Sequence, residues 1–117
     1  MSQPVLLVSR DSLLLSSRTS FLRRAGFMTL RIQNLAVLAS MARFTDFRTI
    51  VLDHTISPDE QEAVIRTLRD FSSLFHVICI GTKEVSSEAI VRECEACNRD
   101  HHRGGTHLLQ VGPVLLP

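Results

Sequence analysis

Short apolar runs separated by polar, helix-like stretches divide the chain at nearly regular intervals. Four of these runs predict β-strands: Pro4–Val8, Phe27–Ile32, Thr49–Asp53 and His76–Ile80. A continuous apolar run rich in β-branched residues is typical of a strand buried in a parallel sheet. A fifth run, His107–Val111, predicts a last strand that Gly112 and Pro113 interrupt, and Val114–Pro117 is apolar but unassigned.

Helical periodicity fills the first interval. Asp11 or Ser12 can cap a helix there. The positions at helical spacing are Leu14, Leu15, Arg18, Phe21, Leu22 and Ala25, and their apolar members form one stripe. Gly26 predicts the end of this helix, because glycine accepts a positive φ without a Cβ clash.

Two further helices have recognisable starts. Asn34 predicts the start of a helix that runs to about Arg43. Ser57 is followed by a proline and, three residues on, by Glu60, which is the signature of a capping box. This second helix runs to about Phe71 and is the best specified in the chain.

A fourth helix opens at Val85–Glu88, with apolar residues and two cysteines on one side. Those positions are Ile90, Val91, Cys94 and Cys97. The polar stretch Asn98–Thr106 has no periodicity and predicts a loop. No repeat, low-complexity segment or linker interrupts residues 1–117, so the sequence predicts one domain.

The alternation of strands and helices predicts an α/β fold, a parallel sheet of about five strands covered by helices on both faces. Right-handed crossovers, with helices on both faces, favour the flavodoxin-like strand order 2-1-3-4-5. Its switch point lies between strands 1 and 3. This order places Ser9, Arg10 and Asp11 beside Asp53, at the edge where α/β proteins bind ligands.

Composition and charge exclude several classes of function. A chain of 117 residues with 44% hydrophobic residues can form a core, and it has no apolar run of the roughly 20 residues that a membrane helix needs. The start lacks a signal peptide and the three cysteines are an odd number, so we expect a cytoplasmic protein with reduced thiols.

Residues 1–48 carry a net charge of +5, and residues 49–117 carry a net charge of −4. The arginines lie on several predicted elements, without Tyr or Trp, and therefore indicate solvated helix faces rather than a nucleic-acid surface.

Three segments resemble the receiver domain of bacterial response regulators. They are Val5–Leu15, Phe21–Phe27 and Ile50–Asp53, and the likeness covers roughly residues 4–97. The resemblance implies a CheY-like fold and a regulatory module of two-component phosphorelay signalling, not an enzyme. It also implies that Asp53 stands at the phosphoacceptor position, and it makes a histidine kinase one candidate partner.

The chain departs from the receiver pattern at the positions that support phosphorylation. Ser9 and Arg10 stand where the family has its Mg²⁺-binding acidic pair, and only the following Asp11 is acidic. Gly81 stands at the switch Ser/Thr position, with Thr82 one residue later. The lysine that ends the family's fifth strand has no counterpart, since Gln110, Val111 and Gly112 stand in that neighbourhood. The family's last helix is also missing.

These departures predict a pseudo-receiver. Phosphoryl transfer needs positioned cations, and Asp53 beside a guanidinium is a poor Mg²⁺ site, so we expect Mg²⁺ binding to be weak or absent. We expect Arg10 to pair with Asp53 instead. A strand-end aspartate can also simply cap the next turn.

The missing helix leaves apolar surface near the fifth strand, where we expect a protein partner or a homodimer, unless Val114–Pro117 covers it.

An alternative function rests on Cys94 and Cys97 with His101, His102 and the nearby His107. Thiolate and imidazole are zinc ligands, so these residues could form a small zinc protein. The histidines lack zinc-finger spacing, however, and buried cysteines in an apolar stripe behave as small hydrophobes. A redox CxxC normally begins a helix after a strand, whereas this one lies near a helix end.

Overall fold

Ten short elements alternate along the chain in the computed structural model, which describes residues 4–44, 46–100 and 103–110, except for the side chain of Phe44. The strands are β1 (Val5–Val8), β2 (Thr29–Ile32), β3 (Thr49–Leu52), β4 (His76–Ile80) and β5 (Gly105–Leu109). The helices are α1 (Ser12–Arg24), α2 (Leu38–Phe44), α3 (Pro58–Phe71) and α4 (Ser87–Arg99), and a 3₁₀ turn (Leu35–Val37) precedes α2. None of the helices in these ranges is long and apolar enough to cross a membrane.

All five strands are parallel and lie in the order β2-β1-β3-β4-β5, which confirms the predicted topology. The register aligns their carboxyl ends, because Val8 pairs with both Ile32 and Leu52, and Leu52 pairs with Cys79. The residues that follow β1 and β3 therefore meet at one edge of the sheet. The fold is that of a three-layer α/β/α protein, with four α-helices in the part of the chain that the structure describes.

Two apolar layers lie on opposite faces of the sheet. One layer includes Leu6, Ile50 and Val77 together with Val64 and Leu68 of α3. The other includes Leu7, Val51, Ile78 and Ile80 together with Leu15 and Leu22 of α1 and Ile90, Cys94 and Cys97 of α4. Successive strand residues face opposite sides of the sheet, and an apolar layer covers each side. Every residue of β1, β3 and β4 is therefore buried. The two layers hold the strand ends in fixed positions.

The position of α4 departs from the expected right-handed crossovers. The connections through α2, α3 and α4 step across the sheet in the same direction, yet α4 packs beside α1, on the face opposite α3. The β4–α4–β5 crossover therefore has the opposite hand to the β3–α3–β4 crossover, an uncommon arrangement. It lets the apolar stripe of α4 cover the α1 face. On the α3 face, Leu108 of β5 is left 65% exposed.

The helix starts follow the local sequence. The Asp11 carboxylate accepts a hydrogen bond from the Leu14 N–H at 3.1 Å, and Gly26 ends α1 at a φ of 98°. Ser57 and Glu60 form the predicted capping box at α3. Asn34 caps the 3₁₀ turn rather than an α-helix directly.

The last strand differs most from its predicted bounds. It begins at Gly105, two residues early, because its ladder with β4 starts opposite His76. The predicted strand end at Val111 and the unassigned segment Val114–Pro117 lie outside the described residues.

Candidate functional site

The Asp53 carboxylate lies at the carboxyl edge of the sheet and is completely buried, with 0% of the residue exposed. Its backbone N–H donates to the Val8 carbonyl at 3.2 Å, which extends the β1–β3 ladder by one residue. One carboxylate oxygen, Oδ1, accepts hydrogen bonds from the Thr55 N–H at 2.9 Å and from the Thr55 hydroxyl. The Asp53 carbonyl accepts from the Ile56 N–H at 3.1 Å. Asp53 thus caps the turn that follows β3, one of the two roles open from the sequence.

The other carboxylate oxygen of Asp53 faces a buried arginine from α1. Arg18 Nη1 lies 3.4 Å from Asp53 Oδ2, and the two side chains are 3% and 0% exposed. Arg18 Nη2 also donates to the Val85 carbonyl at 3.4 Å, in the loop between β4 and α4. Burial lowers the pKa of Arg18 from its usual value, and the charges of Asp53 and Asp11 oppose that shift. The pair therefore places a cation inside the protein beside Asp53 and links β3, α1 and α4.

The predicted Arg10–Asp53 pair is wrong. Arg10 instead forms a bidentate ion pair with Glu60 of α3, with both N–O distances at 2.7 Å, and its side chain is 45% exposed. Its backbone N–H donates to Thr55 Oγ1 at 2.8 Å. Arg10 precedes α1 and reaches outward over the loop, where the capping-box carboxylate of α3 lies closer than the buried face of the sheet.

This exposed pair predicts a measurable titration. The hydrogen bond from Arg10, with the capping bonds from Ser57, lowers the pKa of Glu60 to about 2. A depressed folded-state pKa means that the stabilisation is present above the ordinary Glu pKa and is lost as the pH falls toward 2. We expect an NMR titration to give a Glu60 midpoint near 2, and Arg10→Ala to raise it toward the ordinary value. An unchanged midpoint in the variant would contradict the assignment.

Ser9 and Asp11, which with Arg10 stand at or beside the family's acidic-pair positions, form hydrogen bonds with near neighbours in the sequence. The Ser9 hydroxyl is buried and accepts from the Asp11 N–H at 3.1 Å. The Asp11 carboxylate is the N-cap of α1. The sheet register brings both residues to the same edge as Asp53, as predicted, but Asp11 uses its carboxylate on its own helix.

The switch-position residues Gly81 and Thr82 form their hydrogen bonds with residues other than Asp53. The Thr82 hydroxyl donates to the Glu84 carboxylate and accepts from the Glu84 N–H. The Gly81 N–H donates to the Leu109 carbonyl at 2.8 Å. The side chain of Gln110, in the neighbourhood of the family's lysine, lies against Gly81, where an added Cβ would be 3.1 Å from Gln110 Cγ.

Of the predicted zinc-ligand group, the structure brings Cys97 and His107 close together. Cys94 and Cys97 are both buried in the α4 stripe, and burial raises the pKa of each thiol to about 12. A redox CxxC needs the opposite, a depressed thiol pKa, so the redox alternative loses support. Cys97 lies near His107 of β5, with 3.8 Å between Sγ and Nε2. His101 and His102 lie outside the described residues.

Sequence reasoning missed two residues that the structure makes central, Arg18 and His76. Arg18 was recognisable as the charged member of an otherwise apolar stripe, since a charge on a buried helix face requires a partner. In the sequence, His76 is simply the first residue of an apolar run that predicts a strand. Its contact with His107 depends on strand pairing across 31 residues, for which the local sequence gives no signal.

Comparison with known proteins identifies the fold. No family model matches the chain, and no curated protein does. A CheY-like receiver domain from Methanospirillum hungatei JF-1 is 14% identical, covers 97% of this chain and 85% of its own, and superposes with a TM-score of 0.66. A receiver protein from Sinorhizobium medicae WSM419 gives 18% identity, coverages of 97% and 85%, and a TM-score of 0.62. An atypical orphan response regulator, described as having a new phosphorylation-independent regulatory mechanism, is 20% identical. The match covers 82% of this chain and 95% of the other, with a TM-score of 0.63. The chain has the receiver-domain fold.

Proposed function

We propose that this chain is a receiver-like regulatory module of the two-component type that acts through protein–protein contact rather than through Mg²⁺-dependent phosphorylation of Asp53. The observation that carries the proposal is the complete burial of the Asp53 carboxylate with both oxygens engaged. Thr55 donates to one oxygen and Arg18 pairs with the other. The residue at the phosphoacceptor position is thus part of the fold's interior.

The residues around Asp53 do not fit a magnesium ion. Mg²⁺ requires oxygen ligands, normally one or two carboxylates with several waters, in near-octahedral geometry. Asp11 is committed to capping α1, Ser9 offers only a hydroxyl, and the guanidinium of Arg18 faces the remaining oxygen of Asp53. A divalent cation placed there would be repelled by the guanidinium of Arg18.

Burial also opposes the chemistry itself. An aspartate that accepts a phosphoryl group must approach the phosphorus in line, with room for the three other oxygens. Asp53 presents no exposed surface to a phosphodonor. Exposing it would break the Arg18 contact and the Thr55 bonds, which carry the turn after β3.

A function through protein–protein contact is consistent with the exposed apolar surface on β5. Leu108 on β5 is 65% exposed on the face that α4 does not cover. An edge strand with an exposed leucine can pair with or pack against another chain. The partner is a protein, either a second copy or a signalling protein such as a histidine kinase, and the phosphorylation-independent mechanism of the atypical orphan regulator is a precedent within this fold.

Treatment with Mg²⁺ and acetyl phosphate tests the proposal directly. We expect intact-mass measurement to show no added phosphoryl group on the wild-type chain, and Mg²⁺ with beryllofluoride to leave the backbone NMR spectrum unchanged. A phosphorylatable receiver treated in parallel shows that the donor is active. A phosphoryl adduct that disappears in Asp53→Asn would overturn the proposal.

A further inference from the structure

A second group of chemically active side chains lies at the opposite end of the strands from Asp53. It consists of His76, the first residue of β4, His107 of β5 and Cys97 of α4. His76 Nδ1 is 3.1 Å from His107 Nε2, and His107 Nε2 is 3.8 Å from Cys97 Sγ. The three candidate ligand atoms all lie within 4.8 Å of one another.

The fold assembles this group through two features. His76 and Cys97 are buried, and β5 pairs in parallel with β4 so that Gly105 lies opposite His76. Because Gly105 has no side chain, the His107 ring approaches His76 diagonally across the pair. The unusual face of α4 then places Cys97 Sγ 3.8 Å from His107 Nε2 and within 4.8 Å of the His76 ligand atom.

The partners of each histidine determine which ring nitrogens carry protons. His76 Nε2 is 3.1 Å from the Asp100 carbonyl, which can only accept, so this nitrogen donates. His107 Nδ1 is 3.0 Å from a Glu93 carboxylate oxygen, so this nitrogen donates as well. In two neutral imidazoles, the remaining nitrogens, His76 Nδ1 and His107 Nε2, must then both present lone pairs.

Two lone pairs facing each other at 3.1 Å repel unless a positive charge lies between them. The charge is either a third proton or a metal ion. A proton would satisfy only the two nitrogens and would leave the Cys97 sulfur 3.8 Å away as a spectator. A metal ion would use all three ligand atoms at once.

We propose that His76, Cys97 and His107 bind a zinc ion. Two imidazole nitrogens and a thiolate sulfur are a ligand set that zinc favours. Bond lengths for tetrahedral zinc place two nitrogens about 3.4 Å apart and a nitrogen and a sulfur about 3.6 Å apart. The two distances to His107 Nε2 are 3.1 and 3.8 Å, close to these values, and the His76 and Cys97 ligand atoms lie within 4.8 Å of each other, so zinc binding draws Cys97 toward His76. Binding releases the thiol proton to solvent and leaves the fourth position for water.

The surrounding contacts match those of bound metal sites. Histidine ligands normally donate their other N–H to a carboxylate or a backbone carbonyl, which fixes the tautomer and the ring plane. Glu93 serves His107 in this way, and the Asp100 carbonyl serves His76. The zinc would tie the edge strand β5 to α4 and β4, a structural role separate from the Asp53 site.

Metal titration of the tag-free, chelator-treated protein tests the proposal. We expect one Zn²⁺ to bind per chain and to raise Tm, and Co²⁺ to produce a thiolate-to-cobalt charge-transfer band with tetrahedral visible bands. His107→Gln and Cys97→Ser should weaken Zn²⁺ binding at least 100-fold and abolish the charge-transfer band. His107 lies on the edge strand and is partly exposed, so His107→Gln leaves the core intact.

Matched controls lie on the same helix. Cys94→Ser changes a buried cysteine outside the group, and it should retain the cobalt band. Glu93→Gln should weaken Zn²⁺ binding 10- to 100-fold, as for other residues that orient a ligand, whereas Glu95→Gln should not. Absence of a 1:1 complex, or equal affinity in the wild type and His107→Gln, would overturn the zinc site. Neither result bears on Asp53 phosphorylation, so the two proposals fail separately.

Discussion

Replacing Arg18 by alanine is expected to lower the free energy of unfolding by about 3–5 kcal/mol, because it leaves the buried Asp53 carboxylate without its cation. The two side chains are 3% and 0% exposed, so water cannot replace the guanidinium without opening the fold. Arg18 also donates to the Val85 carbonyl, and its loss loosens the start of α4. Urea denaturation followed by circular dichroism measures the change, and Tm should fall by more than about 10 °C.

The exposed arginine on the same edge provides the control. Arg10→Ala removes a bidentate pair of shorter distance, yet it should cost far less, because both partners are hydrated. Removing both buried charges with Arg18→Met and Asp53→Asn should restore part of the stability lost in Arg18→Ala. If Arg18→Ala is no more destabilising than Arg10→Ala, the buried Arg18–Asp53 pair does not stabilise the fold more than the exposed pair.

Gly104→Ala is expected to destabilise the protein by about 2–3 kcal/mol through a backbone clash. A Cβ at Gly104 would overlap the Ser73 carbonyl oxygen and lie 2.9 Å from the Phe75 carbonyl oxygen, and neither can move without displacing β4. The Gly105 N–H bond to the Phe75 carbonyl, 3.1 Å, would be lost with it. Urea denaturation and hydrogen exchange of the β5 amides report the effect, and protection should fall mainly in β5.

A second glycine gives a matched comparison. At Gly81 an added Cβ would meet only the side chain of Gln110, at 3.1 Å from Cγ, and that side chain is flexible and exposed. Gly81→Ala should therefore change the unfolding free energy much less than Gly104→Ala. Equal effects of the two substitutions would show that the approach of Gly104 to Ser73 does not limit the fold.

Most of the architecture could be predicted from the sequence because its determinants are local. Ser57 and Glu60 specify the start of α3 with their own side chains, and Gly26 specifies the end of α1. Strand order then follows from the alternation of elements and from the short connections, and it is confirmed. The face of α4 was predicted wrongly, because right-handed crossovers place it on the α3 face, whereas its stripe of Ile90, Cys94 and Cys97 packs on the α1 face.

The site was predicted in position but not in its contacts. Sheet register brings Arg10 near Asp53, and proximity favoured that pair, but the helix N-cap region directs Arg10 toward Glu60. Arg18 lies seven residues into α1, and only the rotation of the helix about its axis turns it toward Asp53. Likewise His76 and His107 meet through tertiary pairing of two strands, which no spacing rule along the chain describes.

The internal Arg18–Asp53 pair has a consequence for how the protein responds to its ionic surroundings. Dissolved salt weakens attraction between charges that water can reach, and it has little access to a pair shut inside the core. The Arg10–Glu60 contact should therefore fade as potassium chloride is added, while the Arg18–Asp53 contact persists. Asp53 therefore keeps the same counter-ion across physiological salt concentrations, whereas an ordinary cation site exchanges its ion with the bulk solvent.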